Sequence, residues 1–347
     1  MTKIRVLVVD DSAFMRYTLS HHLGSQPDME VVGMASDGLE ALGLVETLRP
    51  DVITLDVEMP RLDGLSAVVM MSSLTKEGAA VTVEALTAGA VDFVTKPSQT
   101  TSVHQVLGEL VEKVRQAARV RVRAPAALLG TRPRAEKGST PASGSRKEVD
   151  RVVVVGSSTG GPGALRELFA RLPADLPAGM VVVQHMPANF TRSLAERLDE
   201  LSPMSVKEAE KGDRLYQGWA LVAPGGYHVT LTRTGQVQLS EGPPVNGVKP
   251  AVDVTLMSAV AAFGEKALAV ILTGMGHDGR DGARALKQAG GMVFAQDEET
   301  CVVYGMPRSV VEAGLADAVL PIEEMSGAVA EALRGRVSRN RAVRLSV

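Results

Sequence analysis

The chain has 347 residues, enough for about two domains with full cores, and its 45% hydrophobic, 22% charged and 3% aromatic residues indicate a globular α/β protein. A net charge of −3 gives no electrostatic footprint for nucleic acid, and the one cysteine, Cys301, excludes an intramolecular disulfide framework. The chain starts on a strand-like segment rather than a signal peptide, and no apolar run reaches the ~18 residues of a membrane span, so we expect a cytoplasmic protein without membrane insertion.

Short apolar runs alternate with helical patterns in the first third of the chain. This alternation predicts a parallel β-sheet covered by helices. The predicted strands are Arg5–Val9, Val31–Ala35, Val52–Leu55, Val68–Met71 and Asp92–Val94, and the predicted helices are Ala13–Leu23, Gly38–Arg49, Ala79–Ala88 and His104–Arg119.

Charged and hydroxyl side chains stand where four of these strands end. Asp10 and Asp11 follow the first strand, Asp56 ends the third, Ser72 follows the fourth, and Lys96 follows the last. Because the carboxyl ends of parallel strands meet at one edge of a sheet, three carboxylates should share a pocket, which calls for a hard divalent cation such as Mg²⁺. We therefore expect Asp10, Asp11 and Asp56 to hold Mg²⁺, and Asp56 to accept a phosphoryl group that the metal and Lys96 neutralise.

The segments V-V-D-D-S-A-F-M-R, L-D-V-E-M-P-R-L-D-G-L and D-F-V-T-K-P resemble the receiver domain of two-component response regulators. The resemblance covers residues 4–118. It implies that Asp56 is the phosphoacceptor, that a sensor histidine kinase is the phosphodonor, and that the Glu58 carbonyl lies near the metal. It also implies that Ser72 is the switch hydroxyl and Phe93 the switch aromatic.

One edge of this domain departs from the family pattern. Only Leu65, Ser66 and Ala67 stand between Gly64 and the fourth strand, where the family places a full helix. Parallel strands need a crossover of about a dozen residues or more. The sequence therefore predicts either a helix reduced to about one turn near residues 65–67 or a deletion.

Residues 119–149 are rich in Arg, Pro, Gly and Ser and lack sustained periodicity. They predict a flexible linker between two domains, residues 1–118 and 150–340. The β–α alternation resumes after the linker, so both domains are expected to be doubly wound parallel sheets. The predicted strands lie near 151–155, 180–184, 219–223, 268–273, 292–295 and 317–319, and the predicted helices near 163–171, 191–198, 253–264, 280–289 and 306–313.

A glycine-rich turn follows the first strand of the second domain, in the sequence V-V-V-V-G-S-S-T-G-G-P-G. Ser158 is the middle residue of its G-x-S-x-G, an arrangement that places a serine hydroxyl on a sharp strand-to-helix turn. The helix N-terminus there offers backbone N–H groups to a developing negative charge. The motif alone leaves three interpretations open: a nucleophile, an anion-binding loop and a simple turn.

A nucleophilic serine needs a base and an acid that orients it. His185 ends the apolar run M-V-V-V-Q and should project at the same sheet edge as Ser158, whereas the alternating pattern around His228 favours packing in a half-buried strand. Asp278 follows a third strand and is expected to orient His185; its alternative role is a cap of the following helix. The N–H of Met275, in the preceding glycine-rich turn, is a candidate oxyanion donor.

Six ordered segments of this domain resemble the CheB-type chemotaxis protein-glutamate methylesterase family. They are G-S-S-T-G-G-P, Q-H-M-P-A-N-F-T, A-P-G-G-Y-H, V-K-P-A-V-D-V, L-T-G-M-G-H-D-G and C-V-V-Y-G-M-P. The resemblance implies Ser158 as nucleophile, His185 as base and Asp278 as orienting acid. It also implies that Thr159 and Met275 lie near the oxyanion and the substrate.

Together the two resemblances imply a phosphorylation-regulated, monomeric serine hydrolase of chemotaxis adaptation. Its substrates would be glutamate γ-methyl esters on methyl-accepting chemoreceptors, with release of methanol, and deamidation of receptor glutamines would be the same acyl chemistry. Mg²⁺ would serve receiver phosphorylation, and the esterase would need no cofactor. Two rival classes are a non-enzymatic binding module gated by phosphorylation and a DNA-binding regulator. The second is disfavoured because the output region lacks a basic recognition helix.

Overall fold

The computed structural model of this protein describes residues 2–57, 67–97, 102–120 and 147–335. Its contacts divide the chain into two compact units, Met1–Leu129 and Gly130–Val347, which we call the N-terminal and C-terminal units. Each unit contains a parallel sheet with intervening helices, which confirms the predicted fold class. Most of the predicted linker, and the predicted short segment near residues 65–67 apart from Ala67, lie outside the described residues.

The N-terminal unit is built on five parallel strands in the order β2-β1-β3-β4-β5. The four helices among its described residues each follow a Ser, Asp or Thr whose side chain accepts an N–H from the residue three positions later, which satisfies one donor of the first turn. The elements are β1 (Ile4–Val9), α1 (Ala13–Gly24), β2 (Met29–Ala35), α2 (Gly38–Leu48), β3 (Val52–Asp56), β4 (Ala67–Ser72), α3 (Lys76–Ala88), β5 (Asp92–Thr95) and α4 (Val103–Ala117).

The C-terminal unit has seven parallel strands in the order β14-β13-β12-β6-β7-β9-β8 and a separate antiparallel pair, β10-β11. Its central strands are runs of Val, Ala, Ile and Met that are buried on both faces, as a parallel sheet between helices requires. The elements are β6 (Val152–Ser157), α5 (Gly161–Phe169), β7 (Gly179–Gln184), α6 (Phe190–Leu201), β8 (Ser205–Glu208), β9 (Trp219–Val222), β10 (His228–Leu231), β11 (Val237–Ser240), α7 (Val252–Phe263), a 3-10 helix (Gly264–Lys266), β12 (Ala267–Ile271), α8 (Arg280–Gln288), β13 (Met292–Gln296), α9 (Met306–Glu312), β14 (Ala318–Leu320) and α10 (Ile322–Leu333).

In both sheets the first strand lies in the interior, with later strands of the chain on both of its sides. Strand β1 lies between β2 and β3, and β6 lies between β7 and β12. Ligand sites of open parallel sheets form beyond the carboxyl ends of the strands at such a reversal. The carboxyl ends of β1 and β3 in one unit, and the loops after β6, β7 and β12 in the other, are therefore placed to form sites.

Several elements differ from the sequence prediction. The edge strand β8, the pair β10-β11 and the last helix α10 are additional, and α3 begins at Lys76 rather than Ala79. Strand β8 is four residues long and three of them are polar, so it has no apolar run that would predict a strand. The end of the predicted linker already packs on the C-terminal unit, because Glu148 bridges Tyr216 and Val149 contacts the core. No helix among the described residues is long and apolar enough to cross a membrane.

Candidate functional site

The loops after three adjacent strands bring Ser158, His185 and Asp278 to one edge of the C-terminal sheet. Ser158 directly follows β6, His185 directly follows β7, and Asp278 lies in the loop between β12 and α8. Backbone hydrogen bonds continue the strand pairing into these loops: the His185 N–H donates to the Ser157 carbonyl at 3.1 Å, and the Ser158 N–H donates to the Thr273 carbonyl at 3.0 Å. The sheet therefore fixes the spacing of Ser158 and His185, whereas the loop after β12 places Asp278.

The turn that carries Ser158 depends on glycine. Gly160 has a φ of +77°, in the left-handed region that favours glycine, and a Cβ there would also lie 2.4 Å from Cβ of Val302. Helix α5 begins at Gly161, whose N–H donates to the Ser158 carbonyl at 2.7 Å. The serine thus stands on a tight turn at the N-terminus of a helix, where the dipole favours negative charge.

His185 and Asp278 form a direct hydrogen bond. Nε2 of His185 lies 2.8 Å from Oδ2 of Asp278, and the Asp278 side chain is 3% exposed. A neutral imidazole that donates its Nε2–H to the carboxylate presents Nδ1 as an acceptor. No hydrogen bond joins the Ser158 hydroxyl to this ring within the described part of the chain, and such contacts are often long before substrate binds.

Asp278 accepts hydrogen bonds from the N-terminus of α7. Its Oδ2 accepts the Val252 N–H at 2.6 Å, and its Oδ1 accepts the N–H groups of Asp253 and Gly279, both at 3.1 Å. The carboxylate therefore caps α7 and not the following helix α8, whose N-cap Gly279 receives no side-chain cap; that alternative was wrong. Burial raises the pKa of Asp278, but the hydrogen bond and charge of His185 and the N–H groups of α7 outweigh it and lower the pKa overall.

The side chain of Gln184 connects the nucleophile loop to the base, a link that sequence reasoning missed. Its Oε1 accepts the Ser157 hydroxyl at 2.6 Å, and its Nε2 donates to the carbonyls of Ser158 and His185 at 2.9 and 3.3 Å. Gln184 is 2% exposed. Its position next to His185 was the only sequence signal, and a polar residue at the end of an apolar strand is consistent with many roles.

Thr159 and Met275 lie on either side of Ser158. Thr159 is buried, and its carbonyl accepts the Thr273 hydroxyl at 2.9 Å. A Cβ at Gly274 would lie 2.8 Å from Cβ of Ser158, so the backbone that leads into Met275 passes directly beside the nucleophile. The side chain of Met275 is 55% exposed. Thr159 follows Ser158 in the chain and Met275 follows Gly274, so both residues lie close to Ser158; their role near the oxyanion and the substrate stays a prediction.

Packing accounts for two other reactive residues of this unit. His228 begins strand β10 and has a packing role, as the sequence predicted: it is buried, its Nδ1 accepts the Ala251 N–H at 3.2 Å, and its Nε2 donates to the Pro243 carbonyl at 3.0 Å. Both ring nitrogens are thus used within the fold. Cys301 is partly buried, and burial raises the pKa of its thiol far above the ordinary value, so little thiolate forms at neutral pH.

The N-terminal unit gathers the predicted acidic cluster at its own sheet edge. One carboxylate oxygen from each of Asp10, Asp11 and Asp56 lies within 4.8 Å of the others. Nζ of Lys96 lies 2.6 Å from Oδ2 of Asp56 and 3.8 Å from Oδ2 of Asp10. Oδ2 of Asp10 is buried without a hydrogen-bond partner. Burial, supported by the nearby carboxylates, raises the pKa of Asp10 against the opposing Ser12 N–H and Lys96.

The two predicted switch residues are buried near this cluster. The Ser72 hydroxyl lies 2.6 Å from the Thr82 hydroxyl of α3, which holds it on the helix side. Phe93 is 5% exposed, and Nζ of Lys113 donates to its carbonyl and lies 5.2 Å from its ring centroid. Glu58, whose carbonyl was predicted near the metal, lies outside the described residues.

Comparisons with known proteins match both units. Residues 153–329 match the CheB methylesterase family, and residues 6–108 match the response regulator receiver domain. Two curated relatives, from Symbiobacterium thermophilum and Thermotoga maritima, are both named protein-glutamate methylesterase/protein-glutamine glutaminase, and each is 51% identical to this chain. The first alignment covers 95% of this chain and 97% of the relative, the second 92% and 95%.

A solved structure supports the C-terminal match. The crystal structure of the Thermotoga maritima CheB methylesterase catalytic domain is similar with a TM-score of 0.51 and 49% sequence identity. The similarity covers 52% of this chain and 98% of that domain. The domain solved there corresponds in extent to the C-terminal unit described above.

Proposed function

The chain belongs to the CheB methylesterase family, and on that premise we propose that it hydrolyses γ-methyl esters of glutamate on chemoreceptors, with Ser158, His185 and Asp278 as its catalytic triad. The observation that carries the proposal is the meeting of these residues at three adjacent strand ends, with a 2.8 Å hydrogen bond between His185 and Asp278. A serine on a glycine turn, a histidine and a buried acid are together the parts of an acyl-transfer site.

In the first half of the reaction, Oγ of Ser158 attacks the ester carbonyl carbon. Nδ1 of His185 takes the hydroxyl proton, because Nε2 is engaged with Asp278. The carbonyl oxygen becomes an oxyanion beside the N-terminus of α5 and the Gly274–Met275 backbone, where N–H groups stabilise it. When the intermediate collapses, the C–O bond to the methoxy group breaks, His185 returns the proton, and methanol leaves an acyl-enzyme on Ser158.

In the second half, water attacks the acyl-enzyme and loses its proton to His185, which then protonates Oγ of Ser158 as glutamate is released. Asp278 stays ionised and stabilises the imidazolium in both halves. Its lowered pKa is consistent with this role. The same steps with ammonia as leaving group would deamidate receptor glutamines, the second activity in the names of the curated relatives.

Methanol release from a methylated receptor fragment tests the catalytic assignment. Ser158→Ala and His185→Ala should each lower kcat to near background, since members of a triad act as a unit. Asp278→Asn should also lower kcat strongly, but less than the other two. Near wild-type activity of Ser158→Ala on methylated receptor would rule out the proposed nucleophile.

We also propose that the N-terminal unit regulates this activity through phosphorylation of Asp56 by a sensor histidine kinase. The supporting feature is the cluster of Asp10, Asp11 and Asp56 with Lys96 beside it. Oδ2 of Asp10 is buried and accepts no hydrogen bond from the described residues, which fits a divalent cation. Mg²⁺ would be held by these three carboxylates and would supply positive charge to the phosphoryl oxygens. Lys96 holds Asp56 in place and adds a second positive charge at the same point.

Regulation is tested on the full chain with acetyl phosphate and Mg²⁺. Phosphorylation should accelerate methanol release by wild type and leave Asp56→Asn unchanged; a tenfold activation corresponds to about 1.4 kcal/mol of preference for the active state. A chain that starts at residue 147, which keeps the contacts of Glu148 and Val149, should be active without acetyl phosphate. Equal rates in all of these samples would rule out inhibition by the N-terminal unit.

A further inference from the structure

A tight turn between β11 and α7 places a single side chain beside the proposed catalytic acid. Val245 and Val248 donate a backbone hydrogen bond to each other at 3.1 and 3.0 Å, and Asn246 and Gly247 between them have φ angles of +55° and +79°. Two successive residues of positive φ in a two-residue loop are the pattern of a type I′ turn, for which Asn-Gly is a favoured sequence. The backbone of Asn246 is therefore in a conformation that glycine adopts equally well.

The side-chain amide of Asn246 joins two buried carboxylates. Nδ2 donates to Oδ2 of Asp253 at 2.9 Å and to Oδ1 of Asp278 at 3.0 Å. An amide NH₂ group has two hydrogens, so each carboxylate receives one of them. Asn246 itself is exposed, whereas Asp253 and Asp278 are each 3% exposed. The amide thus extends from a surface turn to the interior side of the proposed triad.

The two carboxylates repel each other, and Asn246 lies between them. Asp253 is fixed on α7, where its Oδ1 accepts the Gly282 N–H at 2.7 Å. Burial and the charge of Asp278 raise the pKa of Asp253, while the hydrogen bonds from Gly282 and Asn246 lower it. Among the described residues, Asp278 accepts hydrogen bonds from three backbone N–H groups at fixed positions and from two side chains. The side chains are those of His185 and Asn246.

We propose that Asn246 is a positioning residue for the esterase, which holds the Asp278 carboxylate in the rotation that directs Oδ2 at Nε2 of His185. Its two hydrogen bonds set the angle of the Asp278 carboxylate and separate it from Asp253. Without the amide, like charge from Asp253 acts on Oδ1 directly, and the carboxylate rotates away. The inference rests on the proposed function, because it takes Asp278 to be the acid that orients the catalytic base.

The conformation of the turn allows Asn246 to be replaced without a change of the backbone. Asn246→Gly removes the amide and preserves a backbone that already has positive φ. Asn246→Asp also preserves the turn, but it replaces the donor with a third carboxylate. Thr234→Gly is the matched control, since Thr234 is an exposed residue of the turn between β10 and β11, away from these carboxylates.

The expected result is a loss of kcat without a loss of folding or of substrate binding. On methylated receptor, kcat of Asn246→Gly should fall about tenfold to a hundredfold relative to Thr234→Gly, as small misplacements of catalytic groups do. KM should stay within about twofold. Asn246→Gly should unfold at a lower temperature than Thr234→Gly, because two buried carboxylates lose a donor, but it should stay folded at the assay temperature. Asn246→Asp should be at least as slow as Asn246→Gly. In proton NMR, the downfield ring N–H signal of His185 should weaken or move in Asn246→Gly but not in Thr234→Gly.

Three outcomes would overturn the proposal. One is a kcat for Asn246→Gly within about twofold of the control; the second is a higher KM with unchanged kcat, which is the effect of lost substrate binding. The third is an unfolding temperature of Asn246→Gly so low that the unfolded fraction at the assay temperature accounts for the lost activity. Asp278→Asn separates this inference from its premise: if that variant is fully active, the triad assignment fails, and if it is slow while Asn246→Gly matches the control, the positioning role alone fails.

Discussion

Replacement of Gln184 by methionine tests whether one buried amide ties the nucleophile turn to the base. Gln184 makes three hydrogen bonds, to the Ser157 hydroxyl and to the carbonyls of Ser158 and His185. Methionine has the same unbranched length and fills a similar volume, but it is only a weak acceptor and no donor. Gln184→Met therefore deletes these hydrogen bonds and leaves the space filled.

The magnitude follows from what the deletion leaves behind. The Ser157 hydroxyl is fully buried and would lose its 2.6 Å partner, which costs about 1–3 kcal/mol. The Ser158 carbonyl keeps a second donor, the Gly161 N–H at 2.7 Å. The loss of the Gln184 hydrogen bond to the Ser158 carbonyl therefore costs about 0.5–1 kcal/mol, and the loss of the one to the His185 carbonyl costs about 0.5–1 kcal/mol as well. We expect Gln184→Met to lower the free energy of unfolding of the C-terminal unit by about 3 kcal/mol.

The chain's one tryptophan makes the measurement specific to this unit. Trp219 begins β9, the neighbour of β7, so its fluorescence in urea reports the unfolding of the C-terminal sheet separately from the N-terminal unit. Ser157→Ala removes the stranded hydroxyl, and the double variant with Gln184→Met should be about 1 kcal/mol more stable than the sum of the single effects predicts. Additive effects, or a loss below about 1 kcal/mol for Gln184→Met, would refute the reasoning.

Three further predictions concern charge and the receiver switch. The pKa of Asp10 is raised, so its contribution to stability is present below its ordinary value of 3.8 and is lost as pH rises. In EDTA at neutral pH, calorimetry should therefore show a higher melting temperature for Asp10→Asn than for wild type, and added Mg²⁺ should stabilise only wild type. The pKa of Asp278 is lowered below 3.8, so its contribution to stability is present above that value and is lost as pH falls. The free energy of unfolding measured by Trp219 fluorescence should therefore fall more steeply below about pH 4 in wild type than in Asp278→Asn. Thr82→Val removes the 2.6 Å hydroxyl partner of Ser72 and leaves only the longer hydrogen bonds of Ser72 to the carbonyls of Ser73 and Gly78, at 3.1 and 3.4 Å. Half-maximal phosphorylation should then need about fivefold less acetyl phosphate, and an unchanged requirement would contradict this.

The sequence predicted the elements that follow one physical rule. Buried parallel strands are runs of β-branched residues, so β6 and β7 were predicted close to their observed bounds. The strand-end rule then predicted that Ser158, His185 and Asp278 would share an edge, and the structure brings them together. For Ser158 and His185 the prediction needs only the direction of each strand and the residue that follows it, whereas Asp278 lies within the loop between β12 and α8.

Contacts made by loops and edges could not be predicted in the same way. The V-N-G-V sequence is a recognisable turn, but nothing local to it indicates that Asn246 contacts Asp278, 32 residues further on. The same limit explains the wrong helix-cap alternative, because Asp278 caps a helix that begins 26 residues before it. Short polar edge strands such as β8 depend on their neighbours for stability and carry no pattern of their own.

The two sheet edges differ in how many hydrogen-bond donors they provide to a buried carboxylate. At the C-terminal edge, Asp278 receives hydrogen bonds from His185, from the Asn246 amide and from the N-terminus of α7, so protein donors match its charge. At the N-terminal edge, Oδ2 of Asp10 accepts no hydrogen bond from the described residues, and Nζ of Lys96 lies 3.8 Å away. A carboxylate with matched donors is held rigidly, which suits the proposed role of Asp278 in orienting a base. A carboxylate with an unmatched oxygen attracts a mobile cation, which suits the proposed Mg²⁺ and phosphoryl site.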